Sequence, residues 1–220
     1  MTERHDSHLG PTSGVVPMRS LHREDREAIL QHLLSLDPQD RYLRFGYMAT
    51  DEQIRHYLDT IDFDRDEVFG IFNRHLELIA MAHLAFSTNP DAAACAEFGV
   101  SVLAHARGRG YGARLFDRAA VRARNEGVSL LFIHALSENA AMIRIARKAG
   151  AQVEREGGET EAHLRLPPAD LDSRVSDLFQ DQVAETDFRL KQQARTFRRF
   201  LETLQEVRQG VRKGRGQTGH

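Results

Sequence analysis

The segment from residue 97 to residue 112 constrains the fold of this chain more than any other. It reads E-F-G-V-S-V-L-A-H-A-R-G-R-G-Y-G. In its first half, larger apolar residues alternate with smaller ones, which is the two-residue period of a strand with one apolar face. Its second half places Gly108, Gly110 and Gly112 close together, ahead of an apolar stripe at helical spacing between residues 115 and 123. The pattern predicts a strand, a glycine-rich turn and the N-terminus of a helix in direct succession.

Such a turn favours a bound anion. The first N–H groups of a helix have no partner within it, and the helix dipole adds partial positive charge there. Glycines let the backbone come close to a bound group, and Arg107 and Arg109 add two cations. We therefore expect an anion-binding loop, and a pyrophosphate group fits it best. The alternative is a tight turn that binds nothing.

Two familiar phosphate-binding motifs do not match these residues. No Gly-Lys-Ser or Gly-Lys-Thr follows, as a P-loop would require, and no acidic residue closes a second strand about 20 residues further on, as the dinucleotide fingerprint requires. The loop instead resembles the R/Q-x-x-G-x-G/A motif of the GNAT superfamily of N-acetyltransferases, with Arg107, Gly110 and Gly112 at its fixed positions. This resemblance implies that the loop holds the pyrophosphate of acetyl-CoA.

The same resemblance implies further contacts to acetyl-CoA. Backbone N–H groups near Val100 and Val102 would align the pantetheine arm as an added strand and polarise the thioester carbonyl. The loop residues of the implied cofactor site are Arg107, Gly108, Arg109, Gly110, Gly112 and Ala113. No metal site is expected.

A second segment supports this interpretation. Residues 128–136 form a near-continuous apolar run, typical of a strand buried on both faces, and a predicted helix follows. The run N-x-x-M-x-x-I-A-x-K-x-G from Asn139 to Gly150 is similar to the family's second CoA-contacting element, in which the asparagine hydrogen-bonds the pantetheine arm. Asn139 is equally suited to capping the helix, and the two roles are compatible. Ala146 stands where many family members carry a tyrosine as general acid, so no general acid is assigned.

Two segments before the loop resemble one branch of the family. They are R-Y-L-R-F at residues 41–45 and I-D-F-D-R-D at residues 61–66. The branch comprises bacterial protein-lysine acetyltransferase domains often fused to acyl-CoA synthetase domains, and the likeness spans roughly residues 18–166. Arg41 and Arg44 either contact the acceptor or pair with acids on the following helix. The acids of the second segment either attract a lysine ammonium or belong to a solvated loop.

Glu97 is the candidate general base. An amine must lose a proton before it attacks a thioester, and a positioned carboxylate can take that proton directly or through water. Glu97 lies on the strand that leads into the loop and is the only acidic residue between Asp91 and Asp117. Members of the branch use a glutamate at this place as the base, so the resemblance implies the same role here. The alternative is a glutamate at a sheet edge that pairs with an arginine.

The order of the predicted elements indicates the fold class. They predict an α/β (α+β) domain over residues 15–167, with a mixed, mostly antiparallel sheet flanked by helices in the GNAT arrangement. Between residues 36 and 50 no regular element is predicted. Strands are predicted at 15–21, 68–72, 76–86, 94–103, 128–136 and on either side of Gly157 and Gly158, and helices at 22–36, at 50–61, after the glycine loop and after Asn139.

Composition and charge restrict the protein's surroundings. The formal net charge of −2 gives no general attraction to nucleic acid or membrane. A single cysteine, Cys95, excludes an intramolecular disulfide and a zinc site of several cysteines. No apolar stretch approaches the ~20 residues of a membrane helix, and the N-terminus shows no signal-peptide pattern. We expect a cytoplasmic protein.

The two ends of the chain lie outside the predicted domain. Residues 1–14 are polar and are expected to form a disordered lead-in. No proline or glycine occurs between residues 169 and 209, which predicts a long helical extension over residues 168–209. Such a helix would be about 60 Å long, more than one small domain can cover, so we expect it to fold back or to form a homodimer. The basic tail, residues 210–220, is expected to be flexible.

These observations lead to one main functional hypothesis and two alternatives. The main hypothesis is an acetyl-CoA-dependent N-acetyltransferase that modifies a primary amine, in the first place a protein lysine. The alternatives are a small-amine or polyamine acetyltransferase, and a non-catalytic acetyl-CoA-binding module that acts through its C-terminal helix. Glu97 favours the enzyme, whereas Ala146 favours the binding module.

Overall fold

The computed structural model describes residues 17–87, 94–156 and 159–169. The strands are β1 (Met18–Leu21), β2 (Glu67–Phe72), β3 (Leu78–Phe86), β4 (Cys95–Val102), β5 (Leu130–Leu136), β6 (Gln152–Glu156) and β7 (Glu159–Arg165). The helices are α1 (Arg26–Leu34), α2 (Pro38–Phe45), α3 (Asp51–Thr60), α4 (Tyr111–Asn125) and α5 (Ala140–Lys148). In the sheet the strands follow the order β1-β2-β3-β4-β5-β7-β6. The predicted mixed, mostly antiparallel sheet flanked by helices is confirmed. None of the helices described here is long and apolar enough to cross a membrane.

Two apolar cores hold the helices against opposite faces of the sheet. On one face α4 packs against the middle strands, with Phe116 in edge-to-face contact with Phe98 of β4 at a centroid distance of 5.1 Å. On the other face α1 and α3 form a second core around residues such as the fully buried Ile29. Successive residues of β2 face opposite cores, since Val68 belongs to the second core and Phe69 to the first.

The strands β4 and β5 separate in the middle of the sheet. They run parallel and pair at three registers, the last of which joins Glu97 to Phe132. Both strands continue, β4 to Val102 and β5 to Leu136, but the continuations pair only with β3 and β7 among the described strands. Beyond Glu97, the backbone of β4 therefore has one edge without a strand partner, and a cavity opens there.

One helix lies where no regular element is predicted. α2 begins after Asp37, whose side chain accepts a hydrogen bond of 2.8 Å from the N–H of Asp40. Pro38 is the first helical residue, and Gly46 ends the helix in the left-handed conformation with φ of 81°. Aspartate and proline at the start and glycine at the end are standard helix signals. The helix is too short to show the apolar period on which the prediction relied.

The other predicted elements are present with shifted ends. The helix predicted over residues 22–36 is a 3₁₀ turn at Arg23–Asp25 followed by α1, which ends at Leu34. Gly150 follows α5 with φ of 86°, the left-handed conformation in which glycine commonly ends a helix. The lead-in, the extension beyond residue 169 and the basic tail lie outside the described residues.

Candidate active site

A cavity of about 660 Å³ opens where β4 and β5 separate. Its walls come from α2, the unpaired edge of β4, the glycine loop, the start of α4 and one side of α5. Most of the predicted cofactor-binding residues line it, namely Val100, Val102, Arg107, Gly108, Gly110, Gly112, Ala113 and Asn139. Arg109 does not line the cavity and is exposed.

Two different structural reasons explain why the loop carries glycine at three positions. Gly108 and Gly110 have φ of 76° and 75°, a left-handed backbone that glycine adopts without strain. In the described part of the chain, no atom outside the adjacent residues lies within 4 Å of a Cβ added to either. Gly112 lies where α4 meets α5, because its added Cβ would be 3.3 Å from Cδ1 of Ile145. The first N–H groups of α4 have no partner inside the helix. Open space and free donors together fit a pyrophosphate group.

Arg107 joins the loop to its surroundings. Its guanidinium pairs with Asp40 of α2, and its Nε donates to the carbonyl of Val102 at 3.3 Å. Asp40 is buried, whereas about half of the Arg107 side chain is exposed. Arg107 therefore holds the loop against α2 and β4, and a protein carboxylate balances its charge.

Two cations on α5 were not part of the predicted site. Arg144 and Lys148 line the cavity, and their spacing of four residues places them on one face of the helix. This spacing, directly after the Asn139 cap, is the sequence signal that could have identified them. They add positive charge to the α5 wall of the cavity, which is separate from the wall that the glycine loop forms.

Asn139 caps α5, as predicted. Its Oδ1 accepts a hydrogen bond of 3.1 Å from the N–H of Met142, and its Nδ2 donates to the carbonyl of Leu43 in α2 at 3.5 Å. The contact of Asn139 with the pantetheine arm stays a prediction. Ala146, further along the same helix, is buried in the core and brings no polar group to the cavity.

The unpaired edge of β4 is open to an added strand. Val100 and Val102 pair with Ala82 and Ala80 of β3 on one side, and no strand in the described part of the chain pairs with them on the other. Both valines line the cavity. An extended group along this edge would therefore meet backbone N–H and C=O groups at strand spacing.

Glu97 lies just outside the cavity, at the last register that β4 shares with β5. Its side chain is exposed. No described arginine lies within ion-pair distance of Glu97, so the alternative of a paired glutamate at a sheet edge is not observed among these residues. A carboxylate with access to solvent can both accept a proton and release it to water.

A chain of four polar side chains lies on the face of the sheet that Glu97 occupies. Arg44 donates from Nη2 to the hydroxyl of Tyr57 at 2.6 Å, and this hydroxyl lies 2.7 Å from Nδ1 of His83. Nε2 of His83 lies 3.1 Å from Oδ2 of Asp66. Because a guanidinium can only donate and a carboxylate can only accept, Arg44 donates to the tyrosine hydroxyl and His83 donates to Asp66 from Nε2. When His83 is neutral, its Nδ1 accepts from the tyrosine hydroxyl.

The pKa values in this chain reflect burial and hydrogen bonding. Burial is the largest influence on Asp66 and would by itself raise its pKa, but hydrogen bonds from His83 and Arg65 outweigh it and lower the pKa to about 2. Burial raises the pKa of the Tyr57 hydroxyl, although the neighbouring Arg44 acts in the opposite direction. At neutral pH, Asp66 is therefore charged and Tyr57 protonated.

Sequence reasoning did not identify most of this chain of side chains. Tyr57 falls in the apolar stripe of α3 and His83 in an apolar strand, so neither stands out from the pattern. Asp66 was expected either to attract a lysine ammonium or to lie in a solvated loop. It is buried instead, because it accepts hydrogen bonds from two side chains.

A second polar pair connects the cavity wall to α1. Ser101 of β4 lies 2.8 Å from Nε2 of His32 in α1, and Nδ1 of His32 lies 2.8 Å from the carbonyl of Leu78. A carbonyl only accepts, so Nδ1 carries the proton and the serine hydroxyl donates to Nε2. Burial lowers the pKa of His32 to about 4, although the hydrogen bond to Leu78 acts in the opposite direction. The neutral imidazole thus joins α1 to β3 and β4.

Comparison with known proteins gives one family and several similar structures. A family model described as an acetyltransferase (GNAT) domain matches residues 16–152. The GNAT domain of PAT from S. lividans is 21% identical with a TM-score of 0.58, and the match covers 68% of this chain and 89% of that one. The protein yncA from Salmonella typhimurium, solved with its cofactor acetyl-CoA, is 18% identical with a TM-score of 0.54, covering 70% and 95%. A ribosomal-protein-alanine N-acetyltransferase from Brucella melitensis is 19% identical with a TM-score of 0.51, covering 68% and 99%. At these identities the structural likeness shows a common fold.

Proposed function

The chain belongs to the GNAT acetyltransferase family, whose co-substrate is acetyl-CoA, and we propose that it transfers the acetyl group to the side-chain amine of a protein lysine. The observation that carries this proposal is the cavity where β4 and β5 separate. The glycine loop forms part of its wall, and Glu97 lies just beyond it along β4.

In the proposed reaction, two parts of the cavity bind acetyl-CoA. The glycine loop and the first N–H groups of α4 hold the pyrophosphate, and Asn139 contacts the pantetheine arm. The backbone of Val100 and Val102 aligns that arm and polarises the thioester carbonyl. Acetyl-CoA supplies the acetyl group as a thioester.

Glu97 acts as the general base in this proposal. It takes a proton from the acceptor ammonium, and the amine nitrogen then bonds to the acetyl carbon as the carbon–sulfur bond breaks. The nitrogen loses its second proton as the amide forms, and this proton balances the departing thiolate. A thiol resembling that of cysteine, with a pKa of about 8.5, leaves without much help from an acid. This accounts for transfer in a site where Ala146 replaces a tyrosine. Glu97 is exposed and returns its proton to water.

Three observations support a protein as the acceptor. The R-Y-L-R-F segment resembles the protein-lysine acetyltransferase branch, and the fold is similar to the GNAT domain of S. lividans PAT. Directly after α2, Tyr47 and Met48 are large apolar side chains that are about half exposed or more. Exposed aromatic and methionine side chains are enriched where proteins contact one another. Small amines and polyamines are the alternative acceptors.

Ala146 favours a second candidate function. A module that binds acetyl-CoA and acts through its C-terminal helix would need the same loop and cavity but no general acid.

In either case, we propose a cytoplasmic protein that forms a homodimer through residues 168–209. The single cysteine and the net charge of −2 support the location. The pairing is supported by a heptad-like 4-3-4-3 spacing of apolar residues, namely Leu190, Ala194, Phe197, Leu201 and Leu204.

Thiol release from acetyl-CoA with a panel of acceptors tests the proposed function. The panel contains lysine peptides, small amines and polyamines. Glu97→Gln should bind acetyl-CoA as tightly as wild type but turn over about 10²-fold more slowly or worse, because general-base catalysis contributes about that much. Glu52→Gln, a change at an exposed acid on α3, should behave as wild type.

Two results would contradict the proposal. An active Glu97→Gln variant would assign the base to another group. Tight acetyl-CoA binding without thiol release, for any acceptor, would favour the binding module.

A further inference from the structure

The guanidinium of Arg44 has no carboxylate partner in the described parts of the chain. Its one hydrogen bond there is that from Nη2 to Tyr57. Two aromatic rings lie beside it, since Cζ lies 5.2 Å from the ring centroids of both Phe45 and Tyr57. Arg44 lines the cavity. Its remaining N–H donors are therefore available to a bound group.

The position of this guanidinium is determined from two sides. On one side, Tyr57 is held by the hydrogen bonds through His83 to Asp66. On the other side, the guanidinium lies against Gly99, where an added Cβ would be 2.6 Å from Cζ. A side chain held in this way loses little further freedom when it binds a ligand. The arrangement is typical of a preorganised binding residue.

Glu97 lies near this guanidinium without pairing with it. Side chains two residues apart on a strand share a face and lie about 7 Å apart, and Glu97 is two residues from Gly99. Glu97 and Arg44 are not within ion-pair distance, yet the charge of Glu97 contributes to the pKa of Tyr57. One carboxylate and one guanidinium, neither of them paired within the described residues, therefore flank the end of the cavity.

We infer that Arg44 binds a carboxylate that the acceptor carries close to its amine. The inference rests on the proposed acetyl transfer, in which the amine lies at Glu97. An acceptor with a positive and a negative group then matches the two charges of the site. A guanidinium and a carboxylate can form two parallel hydrogen bonds, which give orientation as well as affinity.

This carboxylate can come from two sources with the same chemistry. One is the α-carboxylate of a free amino acid, and the other is an acidic side chain beside a lysine in a protein. Arg44 would have a different role if it polarised the thioester carbonyl, and its removal would then slow transfer to every acceptor equally. Carboxylate binding affects only those acceptors that carry the group, so the two roles can be separated.

The test compares two matched pairs of acceptors with the full chain. The first pair is lysine and lysinamide, and the second is a lysine peptide with glutamate or glutamine beside the lysine. Wild type should prefer the carboxylate member of at least one pair by about tenfold or more in kcat/KM, the usual scale of a charge-assisted hydrogen-bond pair. The pair that shows the preference identifies the source. Calorimetry of the same compounds with the CoA-bound protein measures binding separately.

Three variants locate the effect. Arg44→Gln should lower kcat/KM for the carboxylate acceptors about tenfold more than for their matched partners, mainly through KM. Tyr57→Phe removes only the hydroxyl that positions Arg44, and should lose part of the preference while the phenyl ring keeps its packing. Arg55→Gln removes an exposed arginine on α3 and should keep the full preference. Thermal unfolding checks that each variant is folded.

The outcomes separate this inference from the proposed function. Turnover without preference in either pair, or an equal loss on all acceptors in Arg44→Gln, overturns the inference and leaves the function intact. A second outcome is that carboxylate acceptors bind, Arg44→Gln abolishes that binding, and no acceptor is acetylated. In that case the proposed function is wrong and the carboxylate site stands. If no acceptor binds or reacts, both are wrong.

Discussion

Arg41 and Arg44 lie one turn apart on α2, and their guanidinium groups have different surroundings. Arg41 donates to the carbonyls of three residues, two at or just after the end of α1 and one just before α3, and pairs with Asp51 of α3 at 2.7 Å. It therefore holds the chain segments around α2 together. Of the two roles expected for these arginines, Arg41 has that of pairing with an acid on the following helix. Among the described residues Arg44 makes a single hydrogen bond, and it lines the cavity. At the scale of residues, neighbours decide which of two like side chains can meet a ligand.

A substitution at Gly110 tests the cofactor loop at this scale. Gly110→Val should abolish acetyl-CoA binding, because its branched side chain would occupy space that the pyrophosphate needs and would strain a backbone with φ of 75°. The fold should survive, since no atom lies within 4 Å of the added Cβ. Isothermal calorimetry measures the affinity.

Gly127→Val is the matched control for this substitution. Gly127 has φ of 79° and equally open surroundings, but it does not line the cavity. It should lose a similar amount of stability and keep its affinity for acetyl-CoA. Unchanged affinity in folded Gly110→Val would show that the loop does not hold the pyrophosphate.

At the scale of elements, the short helix α2 connects the parts of the site. Asp40 pairs with Arg107 of the glycine loop, and the carbonyl of Leu43 accepts from Asn139 at the start of α5. Arg44 bonds to Tyr57 of α3. Two walls of the cavity, and the Tyr57 side chain beside it, thus depend on the position of one helix of eight residues.

The N-cap of α2 offers a test of this dependence. Asp37→Ala removes the side chain that accepts from the N–H of Asp40 and should lower the free energy of unfolding by about 1 kcal/mol. For a chain of this size, that corresponds to a fall in Tm of about 2–4 °C. Asp37→Asn can still cap the helix and should unfold within about 1 °C of wild type. Equal Tm values for the alanine and asparagine variants would show that the cap does not stabilise α2.

At the scale of the whole molecule, His32 connects α1 to two central strands and makes stability depend on pH. The pKa of His32 is about 4 when folded, against an ordinary value of 6.5. Between these values the unfolded chain binds a proton that the folded chain does not, so stability falls as the pH drops from about 6.5 to about 4. The loss should amount to a few kcal/mol, since one pKa unit corresponds to about 1.4 kcal/mol. Urea unfolding at a series of pH values measures it.

Replacing His32 identifies the source of this dependence. His32→Gln should be less stable than wild type at pH 7 but should lose less stability on acidification to pH 4.5. His56→Gln, at an exposed position on α3, should keep the wild-type slope. Equal slopes for the wild type and His32→Gln would assign the pH dependence to other groups.

The C-terminal extension leads to a prediction about assembly. Acidic residues predominate between residues 169 and 188, and basic residues between 189 and 209. An antiparallel helix pair would place each acidic half beside a basic half, whereas a parallel pair would align like charges. We therefore predict a homodimer with crossing or antiparallel helices. The same order of charges also suits the dipole of a single helix.

Light scattering separates these possibilities. Deletion of the residues after Pro168 should convert a dimer to a monomer, and raised salt should weaken the dimer because it screens the paired charges. A full-length chain that is monomeric at micromolar concentration would contradict the pairing.

Much of the geometry on the proposed cofactor side of the cavity could be predicted because it is local. The left-handed Gly108 and Gly110, the start of α4 and the Asn139 cap each depend on residues a few positions apart in the chain. The period of the strands likewise predicted most of the sheet. These features follow from short-range backbone sterics and hydrogen bonding, which the order of amino acids determines by itself.

The geometry on the proposed acceptor side was decided only by the tertiary structure. Tyr57, His83 and Asp66 come from α3, β3 and the turn before β2, and each looks apolar or solvated in its own sequence context. They meet Arg44 because β3 pairs with β4 and α3 packs on that face of the sheet. A buried polar side chain must find a partner, and which partner it finds depends on which distant elements become neighbours when the whole domain packs.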